Sequence, residues 1–171
     1  MQYPSYFSLK LQVKSNLKQV KELRRAYYAA VSYVDYNIGL LLDELSTLGL
    51  ADNTIVVLWG DNGQQLGEHA EWDKKTRFEV ASRVPLMVRV PGLTDSGVRS
   101  DRLTESVDIF PTLVEAAGFP PLDLCPVDST DVELCREGDS LLPLVKNPTA
   151  ANWKEVVFWQ FASLDAKLKC S

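Results

Sequence analysis

The sequence predicts an α/β fold in which a mostly parallel sheet is flanked by helices. Three observations carry that prediction. Between Leu17 and Leu48 the apolar residues Val20, Leu23, Tyr27, Val31, Val34, Ile38, Leu41, Leu42 and Leu45 recur at three- and four-residue steps, the period of a long amphipathic helix. Shortly afterwards "TIVVLW", residues 54–59, is a short β-branched apolar run with turn residues on both sides, which reads as a buried strand. A helix feeding a wholly apolar strand belongs to a sheet covered on both faces. Thirdly, "GDNGQQLGEHAEWDKK" follows that strand at once, and open α/β sheets keep their ligands beyond the carboxyl ends of their strands.

The elements follow in order. Residues 1–16 form an N-terminal extension, and 17–171 form one domain portion. Ser15 or Asn16 caps the long helix and Gly49 ends it. "ADN" makes a turn before the strand. The chain after Trp59 is polar and irregular to about Lys75. "VPLMVRVPG" is a second strand, bounded by Pro85 and by the Pro91-Gly92 turn. In "DRLTESVDIFPTLVEAAG" an extended approach gives way to a helix, with Ser106 or Asp108 near its N-cap, Pro111 in its first turn and Gly118 as its stop. "FPPLDLCPVDSTDV" is loop by composition. A short helix over 140–145 and a last strand, "EVVFWQF", complete the reading.

Composition excludes several classes. The chain has 171 residues, 46% hydrophobic and 24% charged, which is ordinary for a globular domain. With 18 Lys+Arg against 23 Asp+Glu the formal charge is -5, an unfavourable balance for a nucleic-acid partner. No apolar run approaches the ~20 residues of a membrane span, and "MQYPSYFSLKLQVKSN" carries no secretory signal. Of the three cysteines, Cys125 and Cys135 bound the short loop "CPVDSTDVELC". Spacing alone leaves a disulfide and two free thiols both open. A disulfide belongs in an oxidising compartment, which together with the missing signal leads us to expect a partial chain.

Asp61 and Asn62 offer a carboxylate and an amide oxygen at the end of the first strand, and such donors suit a hard cation such as Ca²⁺ or Mg²⁺. Lys74 can meet an anionic substrate with a positive charge. Taken by itself, "GDNG" reads equally as a tight turn, and the lone His69 equally as a structural side chain. "HAE" at 69–71 resembles the His-x-Glu of zinc deaminases, but no Cys-x-x-Cys follows. An EF-hand loop fails as well, since Gly63 and Gln65 stand where further oxygen ligands are required.

As a string, "WGDNGQQLGEHAEWDKKTRFEVASRVPLMVRVPG" resembles the C-terminal catalytic segment of sulfatases. In that family Asp-Asn-Gly or Asp-His-Gly is followed by Leu-Gly-Glu-His, a Lys, then Val-Pro-Leu and a Pro-Gly turn. "VDIFPTLVEAAG" resembles the family's next helix. "CPVDSTDVELCREGDSLLPL" and "RRAYYAAVSYVDYNIGLLLDEL" are most similar to the iduronate-2-sulfatase branch, where two cysteines at this spacing are bridged. The similarity runs from about Leu17 to Phe161.

The resemblance implies an alkaline phosphatase-like fold and hydrolysis of a sulfate ester, with a sulfated sugar or glycosaminoglycan as substrate and a lysosomal or secretory location. It implies that Asp61 and Asn62 are ligands of one Ca²⁺, that Lys74 binds sulfate, that Cys125 and Cys135 form a disulfide, and that His69 and Glu71 shape the loop. Two departures stand beside it. The family's nucleophile is a formylglycine made from the Cys of Cys-x-Pro-x-Arg, and no cysteine here is so followed; the upstream metal-binding Asp pair also has no counterpart. No catalytic nucleophile is therefore assigned, and the Ca²⁺ ligation is incomplete. At the sugar pocket, Gln64 and Lys75 stand where the iduronate branch carries Trp and Tyr, leaving sulfate chemistry intact and the sugar open. An inactive half-domain and a phosphatase or phosphodiesterase of the same superfamily are the alternatives.

Overall fold

The computed structural model describes residues 17–94, 97–128, 132 and 134–159. In chain order the elements are helix α1 (Leu17–Thr47), strands β1 (Val56–Trp59), β2 (Gln65–Leu66) and β3 (Trp72–Asp73), helix α2 (Glu79–Ser82), strand β4 (Leu86–Arg89), and helices α3 (Ile109–Ala116) and α4 (Leu142–Lys146). The chain divides into two compact units. One holds α1 up to Glu44 and residues 62–84; the other holds 45–61 and 85–159. The proposed helix caps Ser15 and Asn16, the extension 1–16, and the ends of the expected last strand at Gln160 and Phe161 lie outside the described residues.

The long helix forms where its periodicity places it. It ends because Gly49, at φ 68, turns the chain so that its own N–H donates to Ser46 C=O and the Leu50 N–H to Leu45 C=O, both at 3.0 Å. That bond pair is a Schellman motif, which satisfies carbonyls the helix leaves bare.

In the second unit, β1 and β4 pair through Val56 with Arg89, Val57 with Val88, Leu58 with Met87 and Trp59 with Leu86. This pairing is antiparallel, as is that of β2 with β3. The α/β class stands, but the mostly parallel arrangement expected of the sheet is not what the described strands make. The reason is local: a parallel pair needs a crossover, generally a helix, and the chain between β1 and β4 instead forms a hairpin and the single turn α2. The only parallel pairing among the described residues is the bridge of Leu124 with Arg136.

The core of this unit is small and apolar, with Val90, Leu141, Leu142 and Leu144 buried. Joined to it through the Leu141–Thr112 bond is a charged hub. Asp108 is 0% exposed, and its carboxylate accepts from the backbone N–H of Glu105 and of Asp139, each at 2.8 Å. Lys154 Nζ donates to both of its oxygens at 2.8 and 2.9 Å, and to Glu105 Oε2 at 3.0 Å. Thr112 Oγ1 donates to Asp108 C=O at 2.5 Å and accepts the Leu141 N–H at 2.8 Å. Gly138 lies so close that a Cβ there would come within 2.6 Å of Asp108 N. A buried carboxylate needs this density of donors, because an ion out of water costs several kcal/mol unless paired and hydrogen-bonded.

Asp108 is the N-cap residue of α3, as expected, though its side chain makes no capping bond to that helix. It closes a capping box with Glu105 across the 3-10 turn Ser106–Asp108 that leads into α3, Glu105 accepting from the Asp108 N–H while Asp108 accepts from Glu105. Pro111 and Gly118 fall in the first turn and at the stop as expected, with Gly118 at φ 82. Cys125 and Cys135 are bridged, with Cα atoms 4.9 Å apart. In the chain-entropy picture a loop of this length contributes about 3 kcal/mol. The expected last strand is not a strand over its described residues 155–159. Its backbone finds a side chain instead of a ladder, since the Phe158 N–H donates to Glu105 Oε1 at 2.8 Å. Val156 and Phe158 stay 63% and 86% exposed.

Candidate functional site

Asp61 follows β1 directly through Gly60, whose N–H donates to Pro85 C=O at 3.1 Å and so extends the β1–β4 pairing by one bond. Asp61 is the last residue of its segment in one unit and Asn62 the first of its segment in the other; both are exposed.

From Asn62 the chain is pinned at once. The Gly63 N–H donates to Ala81 C=O at 3.0 Å, and a Cβ at Gly63 would overlap the carbonyl oxygen of Val80. Only glycine permits this approach of backbone to backbone. β2 and β3 then form a minimal hairpin, Gln65 opposite Asp73 and Leu66 opposite Trp72. Gly67 at φ 101 takes the chain out of β2, with the Trp72 ring 3.4 Å from where its Cβ would be. Three residues without glycine's freedom hold positive φ here: His69 at 57, Ala70 at 59 and Asp73 at 97. Such strain persists only where the surroundings over-determine it, and it clusters at functional sites.

The surroundings here are specific. Arg24, on α1, donates through Nε to Leu66 C=O at 2.8 Å, and its guanidinium lies 3.6 Å from Glu68 Oε1. Glu68 Oε2 accepts the Leu66 N–H at 2.5 Å. That backbone donor, then the residue's own N–H, hold the Glu68 carboxyl below its usual value against the effect of burial, with smaller help from Arg24 and His69. The His69 ring stacks on Phe78, centroids 3.7 Å apart and 5° from parallel, while the backbone of Glu71 closes the loop onto Gly67 and Glu68.

Lys74 emerges directly after β3. Its N–H donates to Asp73 Oδ1 at 2.7 Å, and its C=O accepts the Thr76 N–H at 2.9 Å. Thr76 is tied across the hairpin to Gln65, whose Nε2 donates to Thr76 Oγ1. Gln65 is 0% exposed. Asn62 and Lys74 thus sit at the two ends of a segment closed on itself by the Gly63–Ala81 and Gln65–Thr76 bonds.

In kind, Asp61 and Asn62 suit a hard cation. In number they supply two oxygen donors where Ca²⁺ takes about six to eight, and among the described residues no three His, Cys, Asp or Glu gather as a metal group. The contributions of Arg24, Gln65, Glu68 and Thr76 were not legible beforehand. Only their contacts, up to 42 residues apart in sequence, reveal them.

The family model described as Sulfatase matches residues 2–119. The chain belongs to the sulfatase family. Iduronate 2-sulfatase of Mus musculus is 41% identical over an alignment of 145 residues that covers 71% of this chain and 26% of that enzyme. A protein solved in complex with its substrate D-glucosamine-2-N,6-O-disulfate superposes with a TM-score of 0.68 at 35% identity, covering 82% of this chain and 26% of the other. The phosphonate monoester hydrolase of Agrobacterium radiobacter superposes at 0.72 with 27% identity, over 87% and 28% of the two chains. This sulfatase chain therefore spans about a quarter of the length of the relatives it matches, and the fold it shares with them is the alkaline phosphatase-like α/β fold. No helix among its described residues is long and apolar enough to cross a membrane.

Proposed function

We propose that this chain contributes the carboxyl-terminal half of the anion site of a sulfuric ester hydrolase acting on sulfated sugars of the glycosaminoglycan type. The observation that carries the reading is the backbone of Lys74, held at both of its polar groups at the foot of a strained hairpin within a sequence match to sulfatases. Its ammonium meets the sulfate oxygens on which charge gathers as the ester bond breaks. A cation fixed in advance where charge develops lowers the barrier without reorganising at the moment of reaction. Asp61 and Asn62 would hold one Ca²⁺ together with donors from outside this sequence, and bound Ca²⁺ supplies further charge neutralisation. The formylglycine nucleophile likewise comes from outside these residues, so the chain by itself is expected to be inactive. A lysosomal or secretory location accords with the Cys125–Cys135 disulfide.

The similarity to the iduronate 2-sulfatase of mouse supports an iduronate-type substrate, while Gln64 and Lys75 argue for a different sugar. A second reading, hydrolysis of a phosphonate or phosphate ester, is favoured by the superposition on the phosphonate monoester hydrolase. The two part in one experiment. The chain is joined to an amino-terminal sulfatase half carrying Cys-x-Pro-x-Arg, and turnover of an aryl sulfate is compared with that of an aryl phosphonate ester. Preferred release of sulfate, with Lys74→Ala lowering kcat/KM by about 10²–10³-fold, supports the sulfatase reading. Faster turnover of the phosphonate, or full activity of Lys74→Ala, overturns it.

A further inference from the structure

We infer that Gln65 and Thr76 are positioning residues for Lys74: the buried carboxamide holds the Thr76 hydroxyl across the neck of the hairpin and thereby sets where the lysine ammonium stands. The inference deepens the proposed function, because it rests on Lys74 being the group that meets the substrate anion.

Three hydrogen bonds and one strand pairing form a closed circuit around Lys74. Gln65 Nε2 donates to Thr76 Oγ1. The Thr76 N–H donates to Lys74 C=O at 2.9 Å. The Lys74 N–H donates to Asp73 Oδ1 at 2.7 Å. Asp73 pairs with Gln65 in the β2–β3 register. Thr76 is held further by the Phe78 N–H, 3.4 Å from its hydroxyl. Every link in the circuit passes through the residue that precedes Lys74 or the one two places after it. The backbone of Lys74 therefore cannot rotate without breaking its bond to Asp73 or to Thr76, and Thr76 is itself bonded to the buried Gln65.

The choice of residue at position 65 supports a positioning role over a purely structural one. Gln65 is wholly buried, yet its Oε1 has no hydrogen-bond partner. An acceptor buried without a partner opposes folding, and an apolar side chain of the same size would avoid that cost. What the glutamine adds is the bond to Thr76. Trp72, on the facing strand, also buries an unpartnered Nε1, so the hairpin that carries Lys74 favours placement over satisfaction of its polar atoms.

The test is competitive acetylation of the 171-residue chain with acetic anhydride, read by mass spectrometry as the Lys74 to Lys75 labelling ratio, with and without inorganic sulfate. Both lysines are exposed, so the neighbour serves as internal reference. Thr76→Val is expected to shift the ratio in the absence of sulfate and to abolish protection by sulfate, and Thr76→Ser is expected to restore both. Hydrogen exchange at the Gly63 amide reports whether the segment remains folded. Gln65→Leu, which keeps volume and removes the donor, gives the same two readings from the other partner. An unchanged ratio in Thr76→Val or Gln65→Leu with Gly63 still protected overturns the positioning role. A shifted ratio in both variants, with no sulfate protection in the unsubstituted chain, supports positioning and counts against the anion-binding role of Lys74, so the two failures are distinguishable.

Discussion

Two buried polar side chains, Asp108 and Gln65, are each 0% exposed and are treated in opposite ways by their surroundings. Around Asp108 both carboxylate oxygens are met by backbone N–H groups and by Lys154, and the adjacent Thr112 is bonded in both directions. Around Gln65 one amide atom is bonded and the other is left alone, within a hairpin holding three non-glycine residues at positive φ. Buried polar groups in folded proteins are nearly always satisfied, so the first arrangement is what stability alone demands. The second tolerates strain and an orphaned acceptor in the hairpin that leads to Lys74, the lysine of the proposed anion site. The contrast separates a lock from a tool.

The largest effect expected from this comparison is on the lock. Lys154→Met keeps the stem and removes the ammonium, leaving Asp108 buried beside Glu105 without its cation. Breaking a buried pair from one side costs about 3–5 kcal/mol, which urea denaturation would read as a lowered midpoint. A loss below about 1 kcal/mol, the range of exposed pairs, would mean that the backbone donors alone carry Asp108.

Gly63→Ala probes the other region. The added methyl would meet Val80's carbonyl, with Val80 C at 2.9 Å and Ala81 Cα at 3.1 Å. Overpacking of this kind costs about 1–3 kcal/mol, and the Gly63–Ala81 bond should lose its exchange protection. Unchanged stability would show that the 62–82 segment is softer than the Asp108 hub.

The smallest effects are those of pH, and they fall at opposite ends of the scale. Burial draws the Lys154 pKa down, but hydrogen bonds and charge from Asp108 and Glu105 outweigh it and raise the group above its usual 10.5. Its contribution is complete below that value and is lost as pH rises through the raised one. The Glu68 carboxyl is held below its usual 4.5, first by the Leu66 N–H. Its contribution is present above 4.5 and is lost as pH falls through the lowered value. Thermal unfolding followed from acid to alkaline pH should show the first loss abolished in Lys154→Met and the second in Glu68→Gln. A profile unaltered by either substitution would remove these groups from the account.

The periodicity from Leu17 to Leu45, the β-branched run before Trp59, and the Pro111-to-Gly118 punctuation announced α1, β1 and α3, because each is a pattern among residues a few places apart. The sulfatase motif was legible for the same reason, as a contiguous string from Trp59 to Gly92. The antiparallel pairing of β1 with β4 was not, since a strand's sequence states its faces but not its partner. Asp108 stands at the N-cap of α3 as expected, but its part in a capping box with Glu105 and its pairing with Lys154, 46 residues away, were not legible. Over its described residues, 155–159, the expected last strand is absent, and the Phe158 N–H meets Glu105. Local spacing by itself determined α1, β1 and α3 and the family motif. Only the tertiary structure decided which polar groups are buried and what holds Lys74, because burial and pairing are settled by residues the sequence keeps far apart.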